Sequence, residues 1–153
     1  MKGKFGVKTL ITVSLLCMLS VPQVMSFAFA GPGNVDRAYD FDFAGGKCNF
    51  TTYEKKYNKS KIYWNVSKIQ VFDRVYFYVL GAVNESGTGS TDTTIGDPPY
   101  IYGGDTGKFS ITNNVIETGF SHACVEACTK APYGIMKGQW SPDSYGNYTV
   151  MNN

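Results

Sequence analysis

The sequence predicts an all-β fold: one domain, an antiparallel sandwich of about seven strands, immunoglobulin-like or jelly-roll-like in kind. Two observations carry this. Short runs of β-branched and aromatic residues alternate with polar ones, and Gly, Asn, Pro and Asp punctuate the chain between them. Seven such runs in a chain long enough for one core point to two packed sheets.

The segment 61–83 organises the prediction. Ile62, Trp64 and Val66 alternate with Tyr63, Asn65 and Ser67, the period-two signature of a half-buried strand. Ile69 and Val71 fall out of that phase, which places a bulge or early turn near Ser67 and Lys68. Asp73 and Arg74 interrupt the apolar run, after which Val75, Phe77 and Val79 share one face and Tyr76, Tyr78 and Leu80 the other. Large side chains on both faces predict that this second strand is the more deeply covered, and the two are expected to pair as an antiparallel hairpin. Full burial of Trp64, Phe77 or Val79 would stabilise the fold by about 1.5–3 kcal/mol each.

Ahead of this body, Lys2, Lys4 and Lys8 make a positive head, residues 9–20 an apolar centre, and Ala28-Phe29-Ala30 a small-x-small cleavage site. Residues 1–30 therefore read as a signal peptide and residues 31–153 as a secreted, extracellular β-sandwich domain. Pro22 and Gln23 interrupt the apolar run and argue against an uncleaved anchor, so the membrane is met only through this segment before cleavage. Of 14 basic and 12 acidic side chains, three lysines leave with the signal, so 11 basic against 12 acidic give a net charge of −1. No nucleic-acid partner follows from the basic precursor. Lys47, Lys55, Lys56, Lys59, Lys61 and Lys68 gather around the first strand with Glu54 alone to offset them. They read as a solvated face that discourages edge pairing, rather than a patch for an anionic surface.

The remaining elements follow in order. Residues 31–38 form a loosely held lead-in. Tyr39-Asp40-Phe41-Asp42-Phe43 suits a strand with rings inward and carboxylates outward, ended by Gly45-Gly46. A short strand is expected at 50–53, and a charged connection at 54–60. Residues 84–107 are rich in Gly, Ser, Thr and Asp, with Pro98-Pro99 and Gly103-Gly104 as breakers, and form a long loop. Its Asp92, Asp97 and Asp105 raise the question of calcium, but their spacing fits no calcium-loop pattern, and a solvated loop is the ordinary reading. Strands are then expected from Phe109 to Ile111, with an extension towards Ile116, over residues 120–129 and 133–140, and briefly at 148–151.

Outside the signal the cysteines are Cys48, Cys124 and Cys128. On a strand, Cys124 and Cys128 stand about 13 Å apart, too far to bridge each other. One of them would pair with Cys48, stabilising the fold by roughly 4–5 kcal/mol in the chain-entropy model, while the other stays free or joins a second molecule. A helical segment would instead bring the i, i+4 pair within range. His122, the sole histidine, lies on the same strand face as Cys124. Parallel neighbours without an orienting acid do not make a nucleophile and base. Zinc at His122, Cys124, Cys128 and Cys48 is disfavoured by the same spacing, so no metal, cofactor or catalytic residue is assigned. Glu117 and Glu126 flank expected core strands and read as surface charges, although a carboxylate pair assembled in space escapes a sequence reading.

Tyrosines at 53, 57, 63, 76, 78, 100 and 102 offer an exposed strip, with Tyr63, Tyr76, Tyr78, Tyr100 and Tyr102 as the candidate binding residues. Amphipathic rings on a sheet face are platforms for sugars or protein partners; the competing reading is a second core face under the long loop.

The lysine-rich signal, Tyr39-Asp40-Phe41, Lys61-Ile62-Tyr63-Trp64-Asn65-Val66 and the closing Gly138-Gln139-Trp140-Ser141-Pro142-Asp143 together resemble the small secreted proteins of Gram-positive bacteria grouped as domain of unknown function 2712. The resemblance spans most of the chain after residue 30 and implies secretion and a small β-domain, with no activity and no catalytic residue to transfer. The leading expectation is a non-enzymatic protein that binds a cell-envelope component or a protein ligand. A bacteriocin-like antagonist or its accessory, and a small secreted hydrolase, are the alternatives.

Overall fold

Alternation in the chain becomes two stacked sheets in the computed structural model, which describes residues 35–152. The expected signal peptide lies outside the described residues. The strands are β1 (Arg37–Asp42), β2 (Asn49–Phe50), β3 (Glu54–Lys55), β4 (Ile62–Val71), β5 (Val75–Ala82), β6 (Thr91–Asp92), β7 (Tyr100–Ile101), β8 (Gly107–Ile111), β9 (His122–Thr129), β10 (Gly134–Ser141) and β11 (Thr149–Val150). One sheet has the order β1-β10-β4-β8-β11; the other runs β2-β9-β5-β6, with β3 joined to β9 and β7 to β5. Every pairing is antiparallel except that of β11 with β8. Among the described residues no helix is long and apolar enough to cross a membrane.

The expected hairpin between the two central strands does not form. β4 pairs with β10 and β8, whereas β5 pairs with β9, β6 and β7, so residues 72–74 arch from one sheet to the other. The reason lies in which groups face the core. Trp64, Val66, Ile69 and Val71 on β4 and Val75, Phe77 and Val79 on β5 are all buried in one cluster, so the two strands meet through side chains rather than backbone. Each strand then satisfies its N–H and C=O groups with partners distant in sequence. The aromatic centre of this cluster is Trp64. It stacks on Tyr39 of its own sheet at 4.2 Å between ring centroids and meets Phe77 of the other at 5.3 Å.

The phase shift in β4 is a bulge. Lys137 lies opposite Lys68 and Gly138 opposite Val66, which leaves Ser67 unpaired and exposed. Its hydroxyl donates to the Lys137 carbonyl at 3.0 Å. β1 keeps Tyr39 and Phe41 inward and Asp40 and Asp42 outward as expected, but it begins within the predicted lead-in, since Arg37 and Ala38 already pair with Trp140 and Gln139. The predicted strand at 50–53 is displaced to β2 and β3, and the strand after Phe109 stops at Ile111. The long loop contributes two short strands: β6 and β7 both extend the second sheet through β5.

Lys56 is not on the solvated face. It is buried, and its amino group meets Asp143 at 3.1 Å, both side chains being fully shielded from water. Sequence neighbours suggested a lysine-rich surface; the acid that draws Lys56 inward stands 87 residues away.

Gly138 sits at the bulge because the Tyr39 hydroxyl donates to the Asn65 carbonyl directly above it, at 2.9 Å. A methyl group there would fall on both that carbonyl and the tyrosine hydroxyl. Gly138→Ala is expected to lower stability by about 2–3 kcal/mol through overpacking, read as a shift of the urea midpoint at unchanged slope; an unshifted midpoint would mean that the bulge relaxes at no cost.

Candidate aromatic binding surface

The arch between the sheets projects its residues from one end of the sandwich. Phe72 is 86 % exposed, and its ring meets that of Tyr133, 60 % exposed, edge-on at 5.8 Å. Arg74 follows Phe72 by two positions. Its guanidinium lies 4.6 Å from the Tyr100 ring centre and 5.2 Å from that of Tyr102, within cation–π range of both.

Strand register assembles the rings. Val75, Phe77 and Val79 face the core, so Tyr76 and Tyr78 face outward. The pairing of β7 with β5 sets Tyr100 opposite Tyr76, and their centroids are 5.6 Å apart. Tyr102 stands perpendicular to Tyr100 at 5.5 Å. The turn behind it is fixed twice: the Tyr102 N–H donates to Asp105 Oδ2 at 2.8 Å, and Gly103 packs so tightly on the Val71 carbonyl that no side chain fits. The long loop thus widens the outer face rather than covering it. Tyr76 and Tyr78 also line a shallow groove of about 260 Å³ with Cys128, Thr129 and Lys130.

On the far side of Tyr100 an open cleft runs between the long loop and the C-terminal residues. One section, about 580 Å³, is lined by Tyr100, Asp105, Thr106, Phe109, Thr149 and Met151, and an adjoining section of about 550 Å³ by Asp97, Pro98, Tyr102 and Asn152 among others. Asn152 anchors this wall. Its amide donates to the Ile95 carbonyl at 2.6 Å and its side-chain oxygen accepts from the Thr112 N–H at 2.7 Å. The cleft supplies ring faces, hydroxyls and two carboxylates, the set of groups that holds a polar ligand by stacking and hydrogen bonding.

The other sequence candidates disperse. Tyr63 belongs to the first sheet and is buried against Tyr148, with centroids 4.8 Å apart, so it lies outside the strip. Tyr53 packs over Gly87 and Tyr57 lies beneath the Lys55 ammonium. Cys48 bridges Cys128, and Cys124 is free and buried, so it cannot reach a second molecule in the folded state. The Cys124 thiol donates to the Thr51 carbonyl at 3.2 Å, while His122 Nδ1 meets the Ser121 hydroxyl at 2.9 Å; the two do not form a dyad. Cys48, Cys128 and Glu126 converge within 4.8 Å, but both sulfurs are spent on the disulfide. The Glu126 carboxyl is raised above its ordinary range, first by burial and then by Asp92. Glu117 lies at the rim, 3.9 Å from the Lys59 ammonium. In the long loop, one Asp92 oxygen accepts from both the N–H and the hydroxyl of Thr94, at 2.8 and 2.6 Å. Asp92 and Asp105 are thereby employed as turn caps.

Sequence reasoning missed Phe72, Arg74 and Tyr133. Their signal was present as bulky and charged residues next to strand ends, where a turn leaves them no core to enter.

Residues 26–144 match the model of a family described as protein of unknown function (DUF2712). No curated protein and no solved structure matches the chain.

Burial pushes the Cys124 thiol up to about 11, the hydrogen bond to Thr51 opposing it only partially. A thiol of that kind is inert. Iodoacetamide at about pH 8 is expected to leave the native protein unmodified and to label Cys124 once denaturant is added; rapid labelling of the native protein would show that the site opens.

Proposed function

Because the chain belongs to the DUF2712 family of proteins of unknown function, we propose a function from its surface: a secreted, non-catalytic domain that binds a protein partner at the cell envelope. The observation that carries this reading is the cluster of half-buried Arg74 and Tyr76 with exposed Tyr100 and Tyr102, on the same arch that exposes Phe72 against Tyr133. Tyrosine, arginine and exposed phenylalanine are the residue types that dominate protein interfaces, and rings held by a sheet lose little freedom when a partner arrives. The signal-like N-terminus and the Cys48–Cys128 bridge support an oxidising, extracellular setting.

A second reading is favoured by the adjoining cleft. Asp97, Asp105, Thr106 and Thr149 beside Tyr100 and Tyr102 suit an envelope polysaccharide. One set of binding measurements on isolated cell envelopes separates the two. For a protein partner, Tyr100→Ala and Arg74→Ala weaken binding by about 30-fold each, the effect of removing a hot spot of roughly 2 kcal/mol, and protease treatment of the envelopes abolishes it. Binding that survives protease and falls on Asp97→Ala or Asp105→Ala would replace the protein partner with a glycan. Unchanged binding by all four variants, with native circular dichroism, would remove this end of the sandwich from consideration.

A further inference from the structure

We propose that Lys56 and Asp143 condense into an intramolecular isopeptide bond, which joins Lys56 Nζ to Asp143 Cγ with release of water. This modification is independent of what the aromatic end binds. Lysine is almost never fully buried unless paired; Lys56 is 2 % exposed, and the acid it meets, Asp143, 0 %.

The neighbours of the amino group aim it. Nζ donates to the Ser60 carbonyl at 2.5 Å and to the Pro142 carbonyl at 2.6 Å, and its third neighbour is Asp143 Oδ1 at 3.1 Å. Carbonyls only accept, so a neutral amine satisfies both with its two protons. Its lone pair then points at the Asp143 carboxyl group. On the other side of that group, Oδ2 accepts the Tyr57 N–H at 2.9 Å, while Oδ1 is touched by the Ser60 hydroxyl at 3.3 Å and the Asn58 N–H at 3.4 Å. The Tyr57 N–H therefore waits where negative charge would gather in a tetrahedral intermediate.

The atoms balance within the pair. The ammonium gives one proton to Oδ1, leaving a free amine and a carboxylic acid. Nζ attacks Cγ; the Cγ–Oδ1 bond breaks as a second nitrogen proton moves to the departing oxygen. Water leaves, one N–H remains on the new amide, and nothing is oxidised or reduced. Fixing amine and acid in contact supplies the effective concentration that this condensation lacks in solution. Burial draws the Lys56 amine below its ordinary range, with Asp143 and then Glu117 opposing the shift, which favours the neutral nucleophile. Two buried ions carry a desolvation penalty that an amide escapes, and a dry site lacks the water that would reverse the bond. Lys56 follows β3 of the second sheet and Asp143 follows β10 of the first, so the bond would staple sheet to sheet.

Intact-mass spectrometry of the folded, disulfide-reduced wild-type chain tests this. The expected mass is one water below that of the sequence, and fragmentation of a protease digest yields a branched peptide joining the Lys56 and Asp143 segments. Lys56→Arg and Asp143→Ala restore the full mass, and Asp143→Asn loses ammonia in place of water. A folded wild-type chain at full mass overturns the proposal. So does a water loss without the branched peptide, as closure of Asp143 onto the Ser144 nitrogen would give. The wild-type chain alone decides, so a variant that fails to fold leaves the test intact.

Discussion

Residues 72–74 have too little length to do more than turn the chain, yet the strands on either side belong to different sheets. Most of the architecture follows from that arch. Because β4 and β5 face one another through Trp64 and Phe77 instead of exchanging hydrogen bonds, both must recruit partners from the second half of the chain. β10 and β8 flank β4, β9 takes β5, and the core closes only when all are in place. Pairings so distant in sequence are slow to find. The same arch leaves the core between Val71 and Val75, and so it turns Phe72 to solvent and lays Arg74 over the tyrosines of the long loop.

Residues 84–107 are accordingly more than a linker. β6 and β7 satisfy the free edge of β5, which would otherwise be open to pairing with another chain. Thr93 and Thr94 extend the same function with side chains: the Thr93 hydroxyl donates to the Val79 carbonyl at 2.8 Å, and the Thr94 hydroxyl accepts the Val79 N–H at 2.8 Å. A polar, glycine-bearing composition is what a segment needs to run along a sheet edge and still expose tyrosines at its turn.

The features of the fold visible in the sequence were those set by side-chain period. Alternation marked β1, β4, β5, β9 and β10, and the slip between Val66 and Ile69 marked the bulge. Pairing was not visible, since an arch and a hairpin demand the same alternation and differ only in which faces meet. Tyr63 was misplaced for a related reason: its phase points away from the core, and Tyr148, far along the chain, covers it there. Lys56 escaped because burial of a charge is decided by one distant acid. Of the five candidate tyrosines, Tyr76, Tyr78, Tyr100 and Tyr102 do share a surface, through strand register that no local pattern encodes.

The Cys48–Cys128 bridge also fixes how the domain would respond to being pulled by its two ends. Once the terminal strands have peeled away, tension crosses between the two ends of the chain at the disulfide and at the proposed Lys56–Asp143 amide, so residues 57–127 lie outside the covalent path. What yields is the pairing of the terminal strands, β11 with β8 and β1 with β10. Arg37 lies opposite Trp140, which puts the two pulled ends on the same side, and the pairs separate in succession, as in a zipper, rather than together in shear. Phe72, Arg74, Tyr76, Tyr100 and Tyr102 all fall inside the unloaded span. A molecule held at its aromatic end and tugged at its termini would lengthen by a few strand lengths and keep its grip.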